Sequence, residues 1–288
     1  MRFLGTGAAD MIPSPFCECP VCRDARRGGH TRLRSHFLLD AENLIDFGPD
    51  LGASAMKYGL SLSSVQNVFI THTHEDHFAL SNMDLLRMGG KSQLDMYMSE
   101  AALDALCYAQ THMGLLYRDA FKGIEDGRVR LHAVKAGEPF MAGGYEVTAV
   151  DTTHHASPEE TAVNYRFVKE GLSLLYACDT GMYLPRSLEI LQGSRLDVLI
   201  MEGTWGGRQD KPATSHLNAY AFLEQLETFK KYDIIKEDTD IYCSHINHRH
   251  DWSHETYQKW FKEHTAFSVT VAEDGLTIYP KGSIKEEA

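Results

Sequence analysis

The stretch Ile70-Thr71-His72-Thr73-His74-Glu75-Asp76-His77-Phe78 constrains this chain more than any other part of it. It places the imidazoles of His72, His74 and His77 and the carboxylate of Asp76 almost side by side. Val68, Phe69 and Ile70 before it read as a short buried strand, and Ala79 to Met88 after it as a helix, so the cluster occupies a strand-to-helix turn. Turns of that kind are where rigid scaffolds hold their chemistry. Neutral imidazoles and carboxylates are ligands of zinc, manganese and iron. Crowding so many of them together without a cation would desolvate polar groups for no gain. A solvated polar loop would account for H-x-H alone, but not for four such residues behind an apolar strand.

With 288 residues, 43% of them hydrophobic, the chain can bury a full core. No Pro, Ser or Gly-rich linker divides it, so a single domain over residues 1–288 is expected. The formal net charge of -12 discourages unspecific nucleic-acid binding, because the summed field repels polyanions. Bound cations would offset that charge locally, which leaves room for a small anionic substrate. The N-terminus carries a single early Arg2, no long apolar segment and no cleavage-type signal, which predicts a soluble cytoplasmic protein with no membrane partner. Cys17, Cys19 and Cys22 are clustered, whereas Cys107, Cys178 and Cys243 are scattered. Clustered thiols in such a chain point to metal rather than disulfide, and three soft ligands call for a fourth to close a tetrahedral zinc site.

Taken in order, Arg2 to Leu4 reads as a strand entering the Gly5-Thr6-Gly7 turn, which lacks the further glycine and helix of a nucleotide-binding fingerprint. His36 to Leu39 and Asn43 to Ile45 read as paired strands, ending in Asp46, which is either a partner for a metal-bound histidine or a cap. A helix is expected over Leu51 to Tyr58, a strand over Asp95 to Met98, and a helix over Glu100 to His112 with His112 on its surface. Residues 114–127 are the least readable, and an inserted lid is expected near 102–128. Strands over Val129 to Val134, Glu138 to Met141 and Tyr145 to Val150 lead to His154 and His155. A hairpin of Val163 to Val168 and Ser173 to Ala177 turns at Glu170-Gly171 and delivers Asp179. Leu196 to Met201 ends in Glu202-Gly203-Thr204, Ser215 is the expected cap of a helix from Leu217 to Tyr232, and Ile241 to Ser244 ends in His245. A helix over Glu255 to Glu263 and strands near Phe267 to Val271 and Leu276 to Tyr279 close the chain. The recurring pattern is a strand whose C-terminal end hands over a His or an Asp: His72 to His77, His154, Asp179, His216, His245. Such ends converge on one rim when sheets pack side by side, with enough donors for two metals sharing one carboxylate.

These residues resemble the H-x-H-x-D-H signature of the metallo-beta-lactamase superfamily, and the downstream order His154, Asp179, His245 is similar to its remaining ligands. The resemblance spans nearly the whole chain. It implies an α/β fold, the four-layer αβ/βα sandwich in which two mixed sheets face each other, helices lie outside, and metals sit at one edge. It also implies that His72, His74 and His154 hold one metal, that Asp76, His77 and His245 hold the other, and that Asp179 bridges them. His155 competes with His154, since only one of two neighbours in an extended segment can point inward. His74 stands where di-iron members that perform oxygen chemistry tend to place Glu, so hydrolysis is preferred over redox. Within the superfamily, Cys17-x-Cys19-x-x-Cys22, Ser215-His216-Leu217-Asn218 and Ser244-His245-Ile246-Asn247-His248 look like the PhnP-like cyclic phosphodiesterases that accompany carbon-phosphorus lyase. That likeness implies a structural zinc on Cys17, Cys19, Cys22 and His248, with His250 and His254 as rivals for the last place.

The expected activity is hydrolysis of a small phosphodiester, such as a cyclic nucleotide or cyclic sugar phosphate. Two divalent metals, manganese or zinc with iron also allowed, would present a bridging hydroxide, with Asp76 and His216 as the catalytic residues. His216 is the candidate acid for the leaving alkoxide, because imidazole titrates near the working pH. The same signature also serves thioester, lactone and beta-lactam hydrolysis and cleavage of transfer-RNA precursors. The acidic balance offers no evident basic face for a tRNA. A non-enzymatic metal-binding protein is the remaining alternative, although an open dinuclear site with an acid beside it is an odd thing to build for storage. The expected partner is a small anionic phosphodiester. A homodimer stays open, and no residue decides it.

Overall fold

A computed structural model describes residues 1–91, 93–250 and 252–279. The short apolar runs form two mixed sheets. The first contains β1 (Arg2–Gly5), then, after helix α1 (Pro20–Arg26), β2 (His36–Leu38), β3 (Asn43–Ile45), β4 (Asn67–Phe69), β5 (Leu94–Ser99) and β6 (Val129–Val134), in that spatial order. β1, β2 and β3 pair antiparallel, and β3 to β6 pair parallel. Parallel neighbours need crossover connections. These are α2 (Leu51–Tyr58), α3 (Ser81–Met88), and α4 (Glu100–Met113) with α5 (Arg118–Glu125).

The second sheet contains β7 (Pro139–Ala142), β8 (Tyr145–His155), β9 (Thr161–Lys169), β10 (Leu172–Ala177), β11 (Leu196–Glu202), β12 (Ile235–Ser244) and β13 (Val269–Val271). β7 to β10 form an antiparallel meander, and β10 to β13 are parallel. The crossovers here are α6 (Pro185–Leu191), α7 (Ala219–Lys231) and α8 (His254–His264).

Side-chain alternation along the strands sorts the core into three layers of contact. In β10, Leu174 and Tyr176 pack between the sheets with Phe37 and Phe69 of the first sheet. Leu175 and Ala177 point the other way, into a cluster with Leu188 of α6 and Phe222 of α7. Met96 and Met98 of β5 face outward onto Met83 of α3 and Phe121 of α5. Each fully buried side chain of this kind is worth about 1.5–3 kcal/mol, so the three clusters lock four layers, helix on sheet on sheet on helix. This is the expected αβ/βα sandwich.

The differences from expectation have local causes. Helices α1 and α6 lie where the sequence predicts no helix. Each has a proline at its start, Pro20 and Pro185, where the fixed φ suits the first helical turn rather than breaking it. The helix expected from Leu217 begins at Ala219, and its cap is Asn218, whose side chain accepts the backbone N–H of Tyr220 and Ala221. Ser215 is not the cap. The expected last strand reduces to a single bridge between Arg2 and Thr277. Within the segment expected as an inserted lid, Ala120 and Phe121 of α5 are buried in the cluster that holds Leu106 and Val129, so this part belongs to the outer helix layer. Among the described residues no helix is long and apolar enough to cross a membrane.

Candidate metal centre

Three strand ends turn sharply in the same way. Asp46 after β3, Asp179 after β10 and His245 after β12 have φ of 65°, 55° and 54°. A non-glycine residue seldom enters this left-handed region, and Asp and His are among those that tolerate it best. The cost is about 1–3 kcal/mol each, and such residues gather where function over-determines the backbone. All three point their side chains into one buried cluster at the rim.

That cluster contains every residue expected to ligate the two metals. His72 Nε2 lies 2.9 Å from His74 Nδ1, and His154 Nε2 lies 3.1 Å from the same atom. Asp179 Oδ2 is 3.3 Å from His72 Nε2 and 3.6 Å from His154 Nε2. On the other side, His77 Nε2 stands 3.2 Å from both Asp76 Oδ2 and Asp179 Oδ2. His245 Nε2 stands 2.9 Å from Asp179 Oδ1 and 3.6 Å from Asp76 Oδ2. Asp179 therefore touches both halves. Strand β8 continues through its histidines, so His154 is buried, whereas His155 is exposed and meets Thr161 Oγ1 at 3.1 Å. His154 is thus the neighbour that faces inward.

The donor set fits divalent cations. Two ligand atoms about 2.1 Å from one tetrahedral ion stand roughly 3.4 Å apart, near the separations seen here. His77 Nε2 and His245 Nε2 are buried without a hydrogen-bond partner, although carboxylate oxygens surround both. Nitrogens and oxygens this close, yet out of hydrogen-bonding alignment, are arranged for a shared ion rather than a shared proton. Burial pushes the His72 imidazole down to about 3, helped by the charge of His77, which keeps it in the neutral form that ligates metal. Burial also opposes charge on His245, but the Asp179 and Asp76 carboxylates together outweigh it and lift that imidazole to about 10. Cys178, beside Asp179, also falls within this group, but burial and the Asp179 charge raise its thiol well above the usual range and hold it protonated.

The far sides of His72, His77 and His154 are fastened. Asp46 Oδ2 accepts from His77 Nδ1 at 2.7 Å, while Asp46 Oδ1 accepts the Thr71 backbone N–H at 2.9 Å and the Thr71 hydroxyl at 2.8 Å. Thr71 Oγ1 is 3.0 Å from His72 Nδ1. His154 Nδ1 is 2.9 Å from Ser215 Oγ, which is the actual role of that serine. Such partners fix the tautomer and leave Nε2 free to face the centre. Of the two readings of Asp46, the bond to an imidazole of the cluster is the one realised.

His216 stands at the mouth of the cluster. Its side chain is 18% exposed, against 0% for His72 and 2% for His245. Its ring stacks on His245 at 5.7 Å, and its Nδ1 donates to Glu202 Oε1 at 2.9 Å. Burial lowers the proton affinity of His216, but the charge and hydrogen bond of Glu202 together with the Asp179 charge outweigh it and raise the imidazole above its ordinary value. Glu202 is fully buried and also accepts the backbone N–H of Thr180 at 2.7 Å and of Leu217 at 3.1 Å. The Thr204 hydroxyl donates to Glu202 Oε2 and accepts from His245 Nδ1 at 2.9 Å. One carboxylate thus orients both the mouth histidine and an inner one.

The three N-terminal thiols also meet the expected histidine. Cys17 Sγ and Cys19 Sγ lie 3.4 and 3.5 Å from His248 Nδ1, and Cys22 Sγ completes the group. Backbone N–H groups of Cys19, Cys22 and Ser14 donate to the sulfurs of Cys17, Cys19 and Cys22 at 3.4, 3.4 and 3.3 Å. Burial pushes the Cys22 thiol up to about 12, so a cation among the sulfurs would be needed to hold it as a thiolate at neutral pH. Three sulfurs and one nitrogen close a tetrahedral site with no open position, as a structural zinc requires. The rivals go elsewhere. His250 Nδ1 accepts the Trp252 N–H at 3.1 Å. His254 stacks on His30 at 4.2 Å, and Arg32 donates to its Nδ1 at 3.1 Å, which puts the proton on Nε2 and removes that atom as a ligand.

Sequence reasoning missed the roles of Glu202, Thr204 and Ser215. Glu202 ends an apolar strand in the same pattern as the ligands, which was the available signal. Thr204 carries no pattern of its own, and the motif around Ser215 suggests a cap rather than a partner for His154.

Residues 43–235 match the model of the beta-lactamase superfamily domain. Among solved structures, a diphosphatase from the PhnP family aligns over 96% of this chain and 94% of its own, with TM-score 0.68 and 24% identity. Zinc-bound PqqB from Methylobacterium extorquens aligns over 96% and 99%, with TM-score 0.72 and 20% identity. The short form of human tRNase Z aligns over 97% and 98%, with TM-score 0.61 and 17% identity. No curated protein sequence matches the chain.

Proposed function

Because this chain belongs to the beta-lactamase superfamily, whose fold and metal-donor clusters make it a metal-dependent hydrolase, we propose that its substrate is a small phosphodiester. The observation that carries this reading is the His216–Glu202 pair beside the cluster. A cleaved phosphodiester expels an alkoxide, a poor leaving group that needs a proton, and a protonated imidazole held by a buried carboxylate supplies one. Divalent cations bound between the two halves would supply Lewis acidity and a water of lowered pKa at neutral pH.

The chain's own residues do the rest. His72, His74 and His154 would hold one cation, Asp76, His77 and His245 the other, and Asp179 both; manganese and zinc suit this donor set, and iron is compatible with it. Asp46, Ser215 and Thr204 keep those imidazoles aimed at the centre. Glu202 holds His216 Nδ1, so the proton passes from Nε2 to the leaving oxygen. Cys17, Cys19, Cys22 and His248 would carry a structural zinc that ties the N-terminal loop to the segment after β12. A small anionic ester suits a chain of net charge -12 because the cations, not the surface, attract it. The PhnP-family neighbour is itself a diphosphatase, in keeping with phosphorus chemistry on this fold.

The test is an assay of the metal-replete protein on a bis-aryl phosphate, a 2',3'-cyclic nucleotide, a thioester and a beta-lactam, with manganese and with zinc. Turnover of the two phosphodiesters above the others is expected. Preferential turnover of the thioester or beta-lactam would reject the phosphodiester reading and keep the hydrolase.

A further inference from the structure

Glu160 lies in the turn between β8 and β9 and is 1% exposed, yet it is no part of either metal cluster. Its Oε1 accepts the Thr73 backbone N–H at 2.8 Å, and its Oε2 accepts the Thr73 hydroxyl. The turn that carries it is itself braced. The Glu160 N–H donates to Ser157 Oγ at 3.1 Å, and its carbonyl accepts the Ala156 N–H at 3.0 Å. Burying a carboxylate is costly, and both of its oxygens are used on a single residue.

That residue stands between His72 and His74, while the braced turn begins two residues after His154. One side chain thus clamps together the two chain segments that place His72 Nε2 and His154 Nε2 at 2.9 and 3.1 Å from His74 Nδ1. The other half of the centre is fastened separately, His77 by Asp46 and His245 by Thr204. We infer that Glu160 is a positioning residue for the His72–His74–His154 cluster, setting the spacing of its nitrogens and so its affinity for a divalent cation. It touches neither cation nor substrate. The inference rests on the metal-binding reading above, but not on the identity of the substrate.

The experiment is zinc titration of the full chain against a competing chelator, combined with zinc occupancy of each cluster by anomalous diffraction at limiting zinc. Glu160→Ala is expected to weaken the His72–His74–His154 cluster by about 10- to 100-fold, the usual effect of losing a partner that orients a ligand. The His77–His245 cluster should shift far less. Glu160→Gln, which keeps the shape and can still bond Thr73, should recover much of the loss. Should Glu160→Ala fail to fold, Thr73→Val removes one of the two bonds and is expected to give a smaller loss at the same cluster. Equal weakening of both clusters, or of neither, would overturn the inference while leaving the metal centre intact. A wild-type chain that binds no zinc in this rim would overturn both.

Discussion

Asp179→Asn is expected to reduce hydrolysis by well over the roughly 100-fold that loss of an outer partner can cost, and to lower the bound metal with it. The carboxylate lies within 3.6 Å of His72, His77, His154 and His245. Among the described residues, the His72–His74–His154 half has no other carboxylate, and the other half shares this one with Asp76. Asparagine is the informative replacement because Asp179 sits at φ 55°, a conformation that asparagine adopts readily and alanine resists. Backbone strain is therefore not added, and the variant should keep its fold by circular dichroism. Removing the charge leaves imidazoles facing one another with a neutral amide between them. Activity within a few-fold of wild type would show that Asp179 does not hold the cations.

His216→Ala should separate substrates by leaving group. For an alkyl or cyclic nucleotide phosphodiester, whose alkoxide must be protonated as it departs, kcat is expected to fall by about 100- to 10,000-fold. For a bis-aryl phosphate bearing nitro groups, the aryloxide leaves unaided, and the loss should stay under about tenfold because no proton is needed in that transition state. Metal content should stay close to wild type, since His72, His77, His154 and His245 remain fastened by Thr71, Asp46, Ser215 and Thr204. Equal losses on both substrates would assign His216 a structural part in holding Glu202 instead.

Much of this centre can be read along the chain because its chemistry recurs in one form, an apolar strand that ends in a His or an Asp. β4, β10 and β12 each follow that form, and the parallel pairing of their sheets brings the C-terminal ends to one rim. The choice between His154 and His155 needed coordinates, because a strand that runs on past its expected end reassigns which side faces in. The boundaries that went astray were those governed by short-range chemistry. Prolines at 20 and 185 begin helices, where no helix is expected from the sequence. Asn218 outcompetes Ser215 as a cap because Ser215 is drawn off to His154. Glu160 illustrates the harder limit. It stands in a Ser-Pro-Glu-Glu turn that looks like ordinary solvated loop, and only its burial against Thr73 reveals a task.

Anomalous diffraction from crystals grown with zinc, collected on both sides of the zinc absorption edge, tests the central claim most directly. The account predicts two peaks flanking Asp179, one among His72, His74 and His154 and one among Asp76, His77 and His245, and a third among Cys17, Cys19, Cys22 and His248. Fully loaded protein with no peak beside Asp179 would contradict it.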